Sequence, residues 1–292
     1  MNENIGAVLG KAVDYKLGYN PEVLVKIDRQ ENRTHLGIDS EDIPFTGFDV
    51  WHGYEGTFLV KGIPVDGILK IIIPASSRYT VESKSLKLYL FGFAMDNMAD
   101  DVASGIVNYE TTIRKDLARL LDTNVVVVFH PASKVGLMRS HIVNSNVLPL
   151  WPARERDARV AYKEDPSLLE VTPTYYDEYR YTYDGLRSNC RVTNQPDYGT
   201  VYIEYHGKNF VSPDSLAAYL ISFRNENHFH EEIVETIYAR LQEALEPDYL
   251  NVTAFYTRRG GIDICPTRCS SDRNPFQSTL LDPTFLGKEV RS

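Results

Sequence analysis

Cysteine is scarce in this 292-residue chain: only Cys190, Cys265 and Cys269 are present, an odd number without framework spacing. That excludes a disulfide scaffold and points to a reducing, cytoplasmic setting. Basic tracts are also missing. With a formal net charge of −9, neither a nucleic-acid groove nor an anionic membrane surface is expected as a partner. No apolar run approaches a membrane span; the longest, such as Val125 to Phe129, are strand-sized. The opening stretch MNENIGAVLGKAVDYKLGY has no basic region followed by a long apolar run, so it is not read as a signal peptide. No G-x-G-x-x-G follows a strand, which argues against a Rossmann cofactor site.

What is present suffices for one large or two ordinary domains, since 43% of the residues are apolar. The first forty residues are turn-rich and read as a surface wrap. Pro44 to Trp51 reads as an aromatic loop. Strands are expected over Glu55 to Val60, Ile68 to Ile73 and Asn124 to Phe129, with helices over about Ser83 to Phe93 and Tyr109 to Leu121. The second half repeats this order. A strand from Thr200 to Tyr205 precedes helices over about Pro213 to Phe223, N-capped by Ser212, and His230 to Leu245. A strand from Leu250 to Tyr256 follows, and Gly261 to Ile264 adds another.

The halves match at sequence level. Ser85-Leu86-x-x-Tyr89-Leu90-x-x-Phe93 aligns with Ser215-Leu216-x-x-Tyr219-Leu220-x-x-Phe223. Ala118-Arg119-Leu120 aligns with Ala239-Arg240-Leu241, which sets Glu110 opposite Glu231, and Asn124-Val125 aligns with Asn251-Val252. An internal duplication of a ββααββ-like unit is the expectation, α+β in class. The units are placed at 1–150 and 186–292. The Tyr-rich, charged segment 151–185 reads as an ordered connector, with an edge strand near Arg180 to Tyr183.

The chemistry centres on Leu186 to Val201, LRSNCRVTNQPDYGTV. The stretch before Gly199 reads as a structured loop. It carries Cys190 and, seven residues on, Asp197, a thiol and a carboxyl able to act as nucleophile and proton donor. An isolated cysteine is more often inert filler. Here its neighbours are polar, and Arg187 and Arg191 stand close enough in sequence to favour a thiolate. Glu82, Ser83 and Lys84 open a helix, where either a dipole contact or a bound phosphate is at home. His230 and Glu231 open another, and a carboxylate such as Glu231 can accept two adjacent N–H groups of a guanine-type edge. Thr257-Arg258-Arg259-Gly260-Gly261 is a solvated turn or a phosphate grip. A zinc set from Cys190, His228, His230, Cys265 and Cys269 lacks a fixed fourth ligand and knuckle spacing, so no metal is expected.

These same runs carry a resemblance. The cysteine run, Glu82-Ser83-Lys84-Ser85-Leu86-Lys87-Leu88-Tyr89, Phe229-His230-Glu231 and Tyr256 to Gly261 occur in the order seen in the NADPH-dependent 7-cyano-7-deazaguanine reductases, nitrile reductases of queuosine biosynthesis. The chain resembles their two-module subclass. The resemblance implies tandem tunnelling-fold (T-fold) modules and a homo-oligomer of at least two chains. It implies a cofactor, NADPH, used twice to convert the nitrile (preQ0) to an aminomethyl product (preQ1), with Cys190 forming a thioimide and Asp197 donating the proton. Val81, Glu82, Ser83, His230 and Glu231 are assigned to the 7-deazaguanine substrate, and Ser83, Lys84, Arg259 and Gly260 to NADPH.

Four positions depart from the family pattern: Arg191 replaces a usual proline, Tyr198 a tryptophan, Leu86 a phenylalanine and Cys265 an asparagine. Three other readings of the same superfamily stay open here: an amidinotransferase acting on the same nitrile, a catalytically silent purine- or pterin-binding protein, and a zinc cyclohydrolase.

Overall fold

A computed structural model describes residues 18–132, 148–150 and 161–271. The opening nineteen-residue stretch read above therefore falls almost wholly outside the described residues, as do 151–160 of the connector. The elements in chain order are β1 (Lys26–Asp28), α1 (Gln30–His35), β2 (Thr46–Val60), β3 (Ile63–Pro74), β4 (Tyr79–Val81), α2 (Ser83–Gly92), β5 (Asn97–Ala99), α3 (Val102–Leu121), β6 (Val126–Pro131) and β7 (Leu148–Pro149). The second half supplies β8 (Val171–Cys190), β9 (Pro196–Val211), α4 (Pro213–Ile221), β10 (Asn227–His228), α5 (His230–Leu245), β11 (Tyr249–Tyr256) and β12 (Ile262–Cys269). The class is α+β, as expected.

One sheet carries both halves, in the order β10-β8-β9-β11-β12-β2-β3-β6, with β5 beside β2 and β7 beside β8. The long strands pair antiparallel with their neighbours, and only the short strands β5, β7 and β10 join parallel. The halves meet where β12 pairs with β2, from Ile262 opposite Gly53 to Cys269 opposite Thr46. That junction depends on Gly47. Its φ is +140°, and a Cβ there would lie 2.1 Å from the Thr267 carbonyl oxygen, so only glycine fits.

The duplication is visible bond by bond. In the first copy the Ser85 hydroxyl donates to the Glu82 carbonyl and accepts from the Val25 N–H. In the second the Ser215 hydroxyl donates to the Ser212 carbonyl and accepts from the Glu170 N–H. The Glu82 N–H meets the Val25 carbonyl as the Ser212 N–H meets that of Glu170. The second helices end alike, on left-handed residues Asp122 and Glu246. Aligning those ends sets Glu110 opposite Val234, one turn from the Glu231 that the sequence match suggested. Glu110 is structural: it accepts the Phe129 N–H.

Several boundaries differ from the sequence reading, each for a local reason. The aromatic loop is strand: β2 begins at Thr46, because β12 supplies a partner that Gly47 lets approach. The two short strands expected around Gly62 are one hairpin, turned at Lys61-Gly62 with both φ values positive. Helix α3 starts at Val102, capped by Asp101, rather than at Tyr109. Gly105, a poor helix former, hides that start; a Cβ there would meet the Phe58 ring at 2.8 Å. Strand β6 begins at Val126, two residues late. Ser212 sits at the N-cap of α4 but makes no side-chain cap bond.

The expected connector is largely β8, which starts at Val171 and runs along β9 with register shifts between Pro173 and Asp177 and between Tyr183 and Leu186. The expected cysteine loop is this strand's end, leaving 191–195 as the turn. The early segment is no mere wrap: β1 pairs with β4, and Arg29 and Arg33 are buried.

Two large apolar cores result, beside a smaller cluster of Phe48, Val50, Ile72, Tyr202, Phe255 and Cys265. Leu86, Tyr89 and Leu90 of α2, with Phe93 just after it, pack with Ile113, Leu117 and Leu121 of α3, joined by Ile262 and Ile264 from the other copy's β12. Each large apolar side chain so buried contributes roughly 1.5–3 kcal/mol. Leu216, Leu220, Ile233, Ile237 and Leu241 form the second core, into which Phe45 and Ala75 reach from the first half. Each core thus borrows from the opposite copy, and the copies are locked at the sheet's centre.

Candidate active site

A pocket with about 690 Å³ of empty space opens where the copies meet. Glu82 and Ser83 come to it from the start of α2, Trp51 from β2, Cys190 and Asp197 from the β8–β9 hairpin, His230 and Glu231 from α5. Val81 and Arg259 line it as well. Of the residues assigned above to catalysis, substrate or cofactor, Lys84 and Gly260 alone are not in its wall.

Cys190 ends β8, half-buried. Its carbonyl accepts the Asn194 N–H and its N–H donates to the Gln195 carbonyl, closing a tight turn with Asn194 at φ +59°. Arg187 and Arg191, expected beside the thiol, make their hydrogen bonds to other groups. Arg187 donates to the Arg224 carbonyl. Arg191 bridges Glu232 and Glu31, each at 2.8 Å, so the cation at this departure from the family pattern ties the turn to α5 and α1. Glu232 also takes the Phe229 N–H, half of a capping box for α5, and His228 Nδ1. Although burial pulls the other way, Glu232 and Glu226 hold the His228 imidazole above its ordinary pKa, with Arg191 opposing.

Asp197, on β9 opposite Ser188, is buried. Arg259 donates to its Oδ1 at 2.5 Å, and His230 Nε2 lies 3.5 Å from Oδ2. The His230 ring is stacked on Tyr256 at a centroid distance of 3.7 Å and 7° between planes. Its Nδ1 is buried with no hydrogen-bond partner among the described residues. An imidazole so fixed, with one nitrogen on an acid and one unpaired, suits proton movement beside a ligand. Glu231 is buried too; the Thr80 hydroxyl donates to it at 3.0 Å. Burial raises its pKa and Asp49 adds to the rise, while Arg29 opposes it.

Glu82 meets both of its sequence readings. It caps α2, accepting the Lys84 and Ser85 N–H groups at 2.9 and 2.7 Å, and it also faces the pocket. Trp51, Thr80 and Tyr256 were not predicted. Trp51 and Tyr256 stood within runs already marked as aromatic or motif-bearing; nothing in the sequence marked Thr80.

At the rim, Gly260 has φ +57°, and a Cβ there would stand 2.9 Å from Lys87 Nζ. The β11–β12 turn therefore abuts α2, and Arg258 lies 4.6 Å over the Tyr54 ring. Arg259 lines the pocket, with Arg258 beside it on the same turn and Lys87 on the abutting helix, cations of the kind that grip phosphate.

The zinc set does not assemble. Among the described residues one His/Cys/carboxylate group lies within ligating reach: His52, Asp263 and Cys265, all buried. Asp263 is already bonded by His52 and by the Tyr54 hydroxyl.

A family model described as "Nitrile reductase, 7-cyano-7-deazaguanine-reductase N-term" matches residues 15–129, and one described as "QueF-like protein" matches residues 196–275. The NADPH-dependent 7-cyano-7-deazaguanine reductase of Dechloromonas aromatica is 38% identical over 266 residues, 90% of each chain. That of Rickettsia felis is 39% identical over 272 residues, covering 90% of this chain and 92% of its own. Among solved structures, apo archaeosine synthase QueF-Like covers 34% of this chain at 19% identity, with a TM-score of 0.29. At 38% and 39% identity over 90% of this chain, the two reductases settle membership: the chain belongs to the NADPH-dependent 7-cyano-7-deazaguanine reductase family.

Proposed function

We propose that this chain reduces the nitrile of 7-cyano-7-deazaguanine to a primary amine, as an NADPH-dependent oxidoreductase serving queuosine biosynthesis. The observation that carries the reading is the convergence, in one pocket, of Cys190, Asp197, His230 and Glu231 from one copy with Glu82 from the other.

Glu231, held by Thr80, accepts the two adjacent N–H groups of the base edge. The Cys190 thiolate adds to the nitrile carbon; a C–S bond forms, one C–N π bond breaks, and the nitrogen takes a proton from Asp197, giving a thioimide. His230, fixed against Tyr256, passes protons between Asp197 and the ligand. NADPH, when bound, supplies the two hydrides that a nitrile needs to become an amine. Ser83, Lys84, Arg259 and Gly260 would hold it. Cys190 leaves with its electron pair once the carbon has been reduced, and a second proton completes the amine.

We take the working form to be a homo-oligomer of at least two chains in the cytoplasm, without nucleic acid or membrane as partner. Supporting the first point, β6 ends the sheet and β8 is flanked on its outer side only by the short β7 and β10 among the described residues, and Tyr175 and Tyr176 stand exposed on β8. Supporting the last, no helix among the described residues is long and apolar enough to cross a membrane.

The test is incubation of the chain with the nitrile base, following reduced-cofactor absorbance and intact mass. The wild type oxidises NADPH only when the nitrile is present and, without NADPH, gains the mass of the base. Cys190→Ala does neither. A turning-over Cys190→Ala variant would overturn the assignment.

A further inference from the structure

Behind the pocket lies a smaller cavity, about 250 Å³, walled by Arg29, Thr80, Phe229, Glu231 and Glu235 among others. Thr80, Phe229 and Glu231 belong to both spaces, so Glu231 stands between them. Arg29 is 5% exposed. It donates from NH2 to Asp49 at 2.5 Å, and its Nε and NH1 have no hydrogen-bond partner among the described residues.

Charge balance shows what that unpartnered face is for. Arg268 joins Asp49 to Glu235, and Arg33 also grips Glu235. Arg29, Arg33 and Arg268 thus set three positive charges against the two of Asp49 and Glu235, all out of water. An uncompensated buried charge is costly. Glu232 is already held by Arg191 and His228. Glu231 is the remaining carboxylate on the cavity, and among the described residues its one side-chain hydrogen bond comes from a neutral hydroxyl. We propose that Arg29 is a positioning residue for the substrate site: across the shared cavity its guanidinium keeps Glu231 an anion, and so an acceptor for both N–H groups of the base edge. The proposal rests on the substrate reading above and deepens it.

The groups facing Glu231 are Asp49 on β2, Thr80 on β4, Tyr256 on β11, His230 beside it, Glu232 and Glu235 along its own helix, and Arg29 ahead of α1. Burial and Asp49 push the Glu231 carboxyl up; Arg29 pulls it down. Losing Arg29 therefore lets Glu231 take a proton at higher pH, and base binding fails earlier as the pH falls.

The experiment is titration of the full chain with the nitrile base across pH, without NADPH. Arg29→Gln moves the acid limb of binding upward by about one pH unit, a roughly tenfold loss of affinity inside the shifted window. Arg29→Lys restores most of it, and in a Glu231→Gln background Arg29→Gln moves nothing further. An Arg29→Gln profile that overlays the wild type, or a shift that survives in Glu231→Gln, overturns the proposal. If Arg29→Gln does not fold, the carboxyl carbon NMR signal of Glu231 in the wild type decides, assigned by its loss in Glu231→Gln. It should be ionised at neutral pH, and a protonated signal there overturns the proposal. Wild-type chain that binds no nitrile base at any pH would refute the functional reading instead, and the carboxyl signal would still judge Arg29.

Discussion

Removing Arg268 tests how the two copies are held together. The side chain is fully buried on β12. Its NH1 donates to Asp49 of β2 at 2.8 Å and its NH2 to Glu235 of α5 at 2.9 Å, so one guanidinium spans both copies beneath the pocket. Burial works against the charge, but Asp49 and Glu235 outweigh it and raise the Arg268 pKa. Arg268→Met keeps most of the volume and deletes the fork. Asp49 is left with Arg29 alone and Glu235 with Arg33 alone. Breaking a buried ionic network by removing one member costs about 3–5 kcal/mol, because the surviving charges stay out of water. For a chain of this size that is a fall in thermal midpoint on the order of 10 °C. Urea and heat unfolding followed by circular dichroism give the measurement. The control is Arg119→Ala, which removes a side chain 71% exposed and 3.4 Å from Asp116; it should change stability by under about 0.5 kcal/mol. If Arg268→Met also stays within about 1 kcal/mol of wild type, the network does not clamp the copies and the reasoning fails.

Three further outcomes follow from the same structure. Gly47→Ala should cost at least about 2 kcal/mol through a strained φ and a clash at the β2–β12 junction, whereas Gly62→Ala, with nothing within 4 Å of its Cβ, should cost about 1 kcal/mol; equal losses in thermal midpoint would contradict the junction's role. Arg268 and Arg29 outweigh burial to hold the Asp49 carboxyl low, and Arg268 and Arg33 do so for Glu235. Both carboxylates therefore stabilise the fold above about pH 4–5, the ordinary range of an unfolded carboxylate. That stability is lost as the pH drops through their depressed values, so the urea midpoint should be level near neutrality and fall steeply in acid. The slope should be shallower in Arg268→Met. Asp197→Asn should lower kcat about 100-fold or more by removing the proton donor and leave affinity for the nitrile base within about threefold; steady-state kinetics with binding titration would expose a purely structural role as a loss in both.

Much of the site could be read along the chain because its residues lie in short runs. Cys190 and Asp197 are seven apart, His230 and Glu231 adjacent, and Glu82 opens a helix whose stripe is plain. The amphipathic helices, too, were legible, and α5 ends where its pattern ends. What escaped is non-local. The charge network beneath the pocket joins Arg33 to Glu235 across 202 positions and Asp49 to Arg268 across 219, and charged residues in strands and turns ordinarily face water. Strand β2 was obscured by Gly47, Gly53 and Gly56, which break the alternation a strand shows. Strand β8 was obscured by Pro173 and by two register shifts that interrupt its period. Thr80 gave no signal, since a threonine in a strand is ordinary. The Arg191 clasp was invisible for a different reason: the sequence shows a cation beside a thiol, and only the fold shows the cation drawn away to Glu31 and Glu232.

The pairing of β12 with β2 carries a consequence for biogenesis. A ribosome delivers the N-terminal copy first, at roughly 5–20 residues per second. Yet Thr46 finds its neighbour only when Cys269 has emerged. Until then β2 offers an open edge to solvent and to other nascent chains. The candidate cleft, walled from both copies, has no partial form, so truncated products of translation are expected to be inert and prone to aggregate rather than weakly active.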